Sequence, residues 1–387
     1  MIAVIADDFT GAAEIGGIAL RYGLTVVMDT KVPFFAEEDV VVIATNTRSL
    51  SQSDAFNTVV KVTEELILLE PDFIFKKTDS LLRGNVGAEL EAQLKAEGKK
   101  QALLIPANPA LGRTVREGVY YYNDFPLHLS KLADASHIKI KESSVMKLMG
   151  EEWQNKTSVA SIGENFDHAP IVIGNTVNEK DLQAWAKCLN KNLIPSGSGG
   201  FFDAVLAGYT NATSQEAKTN FFLGKNILYV CGSPYPQSKQ SVIDAQTAGT
   251  LVSYMPENIF CKDASIPDFI IQWSDEILQR ITSSKKVIMA VNNLNCFTND
   301  ETPVQIRKIM ATVIDRVMQK INIDELMIEG GATAFAITEI LNYKQFFPSQ
   351  ELAQGVIRMK VRHANGLHIT LKPGSYAWPS SIWKTAS

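Results

Sequence analysis

The chain has little of what marks a secreted, membrane-bound or nucleic-acid-binding protein. Cysteine is scarce: Cys188, Cys231, Cys261 and Cys296 are the only four in 387 residues. They are scattered without a C-x-x-C pair or a histidine at metal-ligand spacing, which disfavours a disulfide framework and structural zinc. All four are expected as free thiols, mostly filling the core. No apolar run approaches the ~20 residues that cross a bilayer. The first residues read as a strand, with no basic segment ahead of an apolar stretch, so no secretory signal is expected. A cytoplasmic protein without a membrane partner follows. Positive charge is not in excess, since 37 Lys and Arg stand against 42 Asp and Glu for a formal net charge of -5. Nucleic acid is therefore a poor partner, as is an anionic membrane surface.

What is present is an ordinary globular composition, 45% hydrophobic and 20% charged, in a chain long enough for two cores. Apolar runs at 25–28, 40–44, 73–76, 102–106 and 171–174 predict strands, with helices over 53–69 and 87–96 between them. A second series predicts strands at 227–231, 251–254, 287–291 and 325–328, separated by helices over 237–248, 268–281, 303–320 and 332–341. Alternation of this kind is the signature of parallel sheets with crossover helices, here two α/β domains over 1–215 and 216–387. The polar stretch 211–219 reads as the linker, and the glycine- and serine-rich 195–200 as a small flexible segment.

In α/β sheets, ligands bind beyond the carboxyl ends of the strands. Asp7 and Asp8 have that address, after the apolar run Ile2-Ala3-Val4-Ile5-Ala6 and before a helix start at Thr10-Gly11. One aspartate could cap the helix. Two acids with a threonine and a glycine exceed that need, and mutual repulsion is expected to raise one carboxyl toward useful basicity. A second cluster, FKKTDSLLRGNVGAEL over 75–90, gathers Lys76, Lys77, Asp79, Ser80, Arg83 and Asn85 at a strand-to-helix junction suited to an anion. Arg83 there can fork a carboxylate, although a solvated loop with a surface ion pair would also read this way. A third loop, 105–118, supplies Asn108 and Arg113. The later half differs, with glycine turns at Gly232-Ser233, Gly330-Gly331 and Gly374 that would let backbone amides approach phosphates. Neither G-x-x-x-x-G-K-[ST] nor G-x-G-x-x-G occurs.

Three of these segments resemble the signatures of the four-carbon acid sugar kinases. ADDFTGA over 6–12 is similar to the family's A-D-D-[LF]-T-G-A, KTDSLLRGN over 77–85 to K-x-D-S-T-L-R-G-N, and PANPALGRT over 106–114 to P-A-x-P-x-x-G-R-T. The resemblance continues through Gly232-Ser233, Gly330-Gly331 and Lys372-Pro373-Gly374. It implies phosphorylation of threonate, erythronate or 3-oxo-tetronate type acids by ATP with magnesium, an N-terminal acid-sugar domain, a C-terminal nucleotide domain and chemistry in an inter-domain cleft. Carried over by position, Asp8, Lys77 and Arg83 would be catalytic. Asp7, Asp79, Ser80, Asn85, Asn108 and Arg113 would bind substrate. Ser233, Gly330, Gly331, Ala332, Thr333 and Gly374 would line the nucleotide site, with the metal ligands unassigned.

In that scheme Asp8 orients or deprotonates the attacking hydroxyl, Lys77 neutralises charge near the transferred group, and Arg83 or Arg113 pairs with the substrate carboxylate. Glu14 and Asn46 are either selectivity residues or ordinary surface polar groups. Two departures stand out: Ala332 where the family carries an acid, and Tyr376-Ala377 where its ending has a final glycine. Ala332 keeps open a non-catalytic protein that binds a sugar acid or nucleotide. A phosphatase with a first-strand aspartate is disfavoured, because that chemistry needs two aspartates two residues apart and these are adjacent. The sequence leaves the particular acid open, along with its phosphorylated hydroxyl and the oligomeric state, a homo-oligomer among the options.

Overall fold

A computed structural model describes residues 1–135, 140–165, 169–210, 213–215, 221–232, 236–261, 265–292, 302–374, 376–379 and 382. The chain divides into two compact units, Met1–Glu216 and Ala217–Ser387.

The first unit runs β1 (Ile2–Ala6), α1 (Phe9–Arg21), β2 (Val26–Asp29), β3 (Val40–Ala44), α2 (Gln52–Ile67), β4 (Ile74–Lys77), α3 (Val86–Glu97) and β5 (Gln101–Ile105). A small antiparallel sheet follows, β6 (Arg113–Arg116), β7 (Val119–Tyr122) and β8 (Phe125–Pro126), then the short helices α4 (Lys131–Ala135) and α5 (Val145–Leu148). β9 (Thr157–Ala160), β10 (Ile171–Gly174), α6 (Glu179–Lys187), β11 (Leu193–Gly197) and α7 (Gly199–Thr210) complete it. The main strands lie in the order β2-β3-β1-β4-β11-β5-β10-β9, every neighbouring pair parallel. Helices cover both faces of such a sheet, which is why β1 and β3 are buried at every position and read as unbroken apolar runs.

The second unit runs β12 (Ile227–Cys231), α8 (Pro236–Thr247), β13 (Leu251–Tyr254), α9 (Ile266–Ser284), β14 (Lys286–Ala290), α10 (Thr302–Met318), β15 (Glu325–Glu329) and α11 (Gly331–Ile340). It ends in β16 (Gln345–Ala353), β17 (Val356–Val361) and β18 (His368–Lys372). The order is β13-β14-β12-β15-β18-β17-β16, parallel up to β18 and antiparallel through the last two pairings. The mostly parallel α/β character agrees with the alternation in the sequence; the antiparallel run β16–β18 was not foreseen.

Two local expectations are corrected. Residues 195–200 are not a flexible segment: they end the buried strand β11 and open α7. Pro195 is tolerated there because it pairs with Leu103 of β5 ahead of the point where β11 begins pairing with β4. Gly197 sits at φ 144°, where an added Cβ would lie 2.0 Å from the Ile105 carbonyl oxygen, so only glycine permits the close approach. Lastly, Cys188 and Cys231 are free, but Cys261 is disulfide-bonded. Wide separation along a chain does not forbid proximity in space.

Candidate active site

Strand register assembles the site. Ala6 at the end of β1 pairs with Ala44 of β3 on one side and Lys77 of β4 on the other, so three strands finish at the same level. Whatever follows them converges: Asp7 and Asp8 after β1, Arg48 after β3, Thr78 to Arg83 after β4.

Asp8 is the N-cap of α1. Its extended backbone, φ -145° and ψ 164°, turns the carboxylate back to accept from the Gly11 amide at 2.8 Å and the Thr10 hydroxyl at 2.6 Å. Gly11 is glycine for space, since a Cβ there would meet Asp8 Oδ1 at 2.6 Å and Lys77 Nζ at 3.2 Å. The ammonium of Lys77 itself reaches Glu14 at 3.3 Å and donates to the Thr78 carbonyl at 3.2 Å.

The guanidinium of Arg48, which the sequence reading passed over, organises the acids. It forks Asp7 through Nε and Nη2 at 2.8 and 2.9 Å, lies 3.0 Å from Asp8 Oδ1, and stands 3.5 Å from Asp79 Oδ1. Its loop is fixed by the left-handed Asn46, φ 53°, and by the Thr45 hydroxyl donating to the Ala6 carbonyl at 2.9 Å. The Asn85 side-chain amide donates to the Thr47 and Leu50 carbonyls, each at 3.0 Å. Gly84 packs so tightly that a Cβ would fall 2.8 Å from Arg48 Cγ. The strand-end rule applied to the run after β3 would have singled out Arg48, as it singled out Asp8.

Electrostatics follow from this packing. Burial works to raise the Asp8 carboxyl, but Arg48 and Lys77 overcome it, helped by Thr10 and Gly11, and hold it below the usual carboxylate range. The expectation that repulsion lifts a carboxyl toward neutrality is therefore corrected for Asp8, because the two cations, with the Thr10 and Gly11 hydrogen bonds, outweigh its burial. Asp79 is likewise held well down against its burial, by Arg48 and Arg83. Lys77 is raised despite burial, by Glu14, Asp7 and Asp8.

Arg83 forks Asp79 at 2.6 and 2.7 Å. Its Nε–Nη2 edge is thus given to an internal acid rather than to a substrate carboxylate as the sequence suggested. Arg113, carried by β6, donates to the neutral Ser80 hydroxyl at 2.6 Å. Asn108 is buried and pairs its backbone with Arg113 at 2.8 and 3.1 Å. The structure thus gathers Asp7, Asp8, Lys77 and Asp79 around Arg48, sets Asn85 behind that loop, and joins Ser80 to Arg113.

In the second unit, β15 ends at Glu329 and Gly330, φ 92°, caps α11 with its backbone alone. The Gly330 cap makes no side-chain hydrogen bond and no acid lies in the first turn, so the first-turn amides of Gly331, Ala332 and Thr333 belong to a helix start of positive partial charge. Thr333 Oγ1 would lie 3.6 Å from a Cβ on Gly232, which brings two of the predicted glycine turns together. Beneath them Lys372 Nζ meets buried Glu329 at 3.1 Å and donates to the Pro373 and Tyr376 carbonyls at 2.9 and 2.6 Å, tying down the turn that contains Gly374. Ser233 lies outside the described residues.

A family described as a sugar-binding N-terminal domain matches residues 2–205, and one described as a nucleotide-binding C-terminal domain matches residues 228–376. The chain belongs to the four-carbon acid sugar kinase family. It is 29% identical over 214 residues to a D-threonate kinase of Bordetella bronchiseptica, a match spanning 51% of this chain and 53% of that relative, about half its length. It is 22% identical to a 3-oxo-tetronate kinase of Brucella melitensis over 97% of this chain and 92% of the relative. With a D-erythronate kinase of Heliobacterium modesticaldum the identity is 26%, over 64% and 60% of the two chains. A solved structure described as a putative tRNA synthase from Salmonella typhimurium superposes with a TM-score of 0.78 at 19% identity, covering 97% of this chain and 96% of the other. A Haemophilus influenzae protein superposes with a TM-score of 0.69 at 19% identity and 97% coverage of both. These structural likenesses speak for the fold.

Proposed function

We propose that the chain is an ATP-dependent kinase that phosphorylates a hydroxyl of a four-carbon sugar acid, of the threonate, erythronate or 3-oxo-tetronate class. The observation that carries the reading is the placement of Asp8: an ionised carboxylate aimed by a helix N-terminus, beside Lys77, at the carboxyl ends of β1 and β4. In the loose transition state of phosphoryl transfer the attacking hydroxyl is little bonded, so orientation matters more than base strength. A carboxylate of low proton affinity suits that task. Lys77 neutralises charge on the transferred group. Arg113 takes the substrate carboxylate, because a charged acceptor makes a stronger bond to a guanidinium than the neutral Ser80 hydroxyl does.

The backbone-capped start of α11 and the turns at Gly232 and Gly374 would receive the ATP phosphates. Among the described residues no group of three or more His, Cys, Asp or Glu is placed to hold a metal. Magnesium would then arrive chiefly as the nucleotide's counter-ion, since it typically takes one or two carboxylates plus phosphate oxygens. No described helix is long and apolar enough to cross a membrane, in keeping with metabolic work on small acids in the cytoplasm.

The test is ADP release from Mg-ATP by the purified protein against both threonate enantiomers, erythronate and 3-oxo-tetronates. Turnover of one acid is expected and would name the substrate; silence across the panel with a ligand-induced thermal shift would favour a non-catalytic binder. Ala332 motivates that second reading, and it is exposed in the first turn of α11. A large gain in turnover on Ala332→Asp would mark a degenerate nucleotide site, whereas a rate within about twofold would show that the chain needs no acid there.

A further inference from the structure

One guanidinium at the centre of three carboxylates is an unusual expense of hydrogen bonds for structure alone. Asp7, Asp8 and Asp79 come from two different strand ends, and each would be costly to bury as an anion without a partner. Arg48 reaches all three within 3.5 Å, and its own loop is locked by Asn46, Thr45, Asn85 and the contact with Gly84. A lysine could supply the charge but not the fork.

We propose that Arg48 is the positioning residue of this site: its guanidinium ties Asp7, Asp8 and Asp79 together and so fixes the carboxylate oxygen that Asp8 presents to the substrate hydroxyl. Its catalytic consequence rests on the kinase reading above; its effect on Asp8 does not. Asp8 has two carboxylate oxygens, each engaged by α1, Oδ2 by Thr10 and Oδ1 by Gly11. Arg48 adds the contact that comes from outside the helix, at 3.0 Å to Oδ1. That second anchor selects one orientation of the carboxylate plane, while the fork on Asp7 keeps the adjacent acid turned away from substrate.

The charged and titratable groups around Asp8 are few and come from every neighbouring element. Lys77 faces it from β4, Arg48 from the loop after β3, and Thr10 and the Gly11 amide from α1. Asp7 precedes it; Glu14 and Asp79 act on it through Lys77 and Arg48, Arg83 through Asp79, and Glu89 with Lys76 through Asp7. Of the two cations beside Asp8, Arg48 exerts the larger pull.

The experiment is a carboxyl titration by 13C NMR of the full chain labelled at aspartate, with the Asp8 resonance assigned by its loss in Asp8→Asn. In the wild-type protein Asp8 is expected to titrate below the usual carboxylate range. In Arg48→Gln it should titrate about 1–3 pH units higher, the usual effect of one neighbouring opposite charge. Arg48→Lys should keep most of the depression yet lose the fork, so with whichever acid turns over kcat falls at least tenfold with KM little changed. An unmoved Asp8 titration in Arg48→Gln overturns the proposal. Should that variant not fold, Arg48→Lys decides: kinetics indistinguishable from wild type would sink the positioning role. If the wild-type protein turns over none of the acids, the kinase reading fails while the Asp8 titration still settles what Arg48 does.

Discussion

Lys76 and Glu89 meet at 2.6 Å with side-chain exposures of 0% and 2%, a buried ion pair linking β4 to α3 directly beneath the acid cluster. Burial drives the Glu89 carboxyl upward and Lys76 pulls it back, without fully offsetting it. Removing one partner leaves an uncompensated charge in the core. Glu89→Gln or Lys76→Met should each cost about 3–5 kcal/mol in unfolding of the first unit, whereas the pair Lys76→Met with Glu89→Leu should recover most of it. Denaturant unfolding of the three variants checks this; equal losses for single and double would show that the pair does not act as a pair.

Exchange of Asp8 for Asn preserves the helix cap, because asparagine caps as well as aspartate. The carboxylate is lost, however. Turnover should fall by about 10²–10⁴ in a chain that still folds, with the melting temperature at neutral pH somewhat lowered because Arg48 and Lys77 lose a charged partner. A rate within a few-fold of wild type would remove Asp8 from the chemistry.

Gly11→Ala tests the crowding at the same cap. Its Cβ would press on Asp8 Oδ1 at 2.6 Å and on Lys77 Nζ at 3.2 Å. The expected result is a loss of about 1 kcal/mol from the disturbed cap together with a fall in kcat larger than any change in KM. Normal kinetics would mean that the carboxylate geometry is not critical.

Arg113→Lys keeps the charge and removes the planar fork. Where Arg113 binds the substrate carboxylate, KM for the acid should rise about tenfold or more while KM for ATP stays put. Equal effects on both would place Arg113 elsewhere in the mechanism.

The acid limb of stability should carry the signature of Asp8 and Asp79. Both are held below their unfolded values, so the stability they contribute is present above pH ~4 and is lost as pH falls through the depressed folded values. Melting temperature should therefore be flat near neutrality and decline below about pH 5. Asp79→Asn should lower the neutral plateau and make the acid decline shallower; an unchanged slope would mean that Asp79 does not contribute.

Much of this protein was legible along the chain. Strands such as 40–44 and 227–231 were readable to the residue because both faces of a parallel sheet are buried, which writes each strand as an uninterrupted apolar run. The acid pair of Asp7 and Asp8 stood out because strand ends are where such sheets place ligands. What the chain could not reveal depended on neighbours distant in sequence. Leu193–Gly197 is a strand only because β4 and β5 flank it and Ile105 leaves room for no side chain at Gly197. Arg83 carries the chemistry of a carboxylate fork, and only packing decided that the carboxylate is Asp79. Arg48, 41 residues from Asp7, became the centre of the site through the register that ends β1, β3 and β4 together. Local sequence fixes which segments can be strands, caps and turns, because those rest on nearby residues. Which charges neutralise one another is decided by distance in space, and that only the folded sheet supplies.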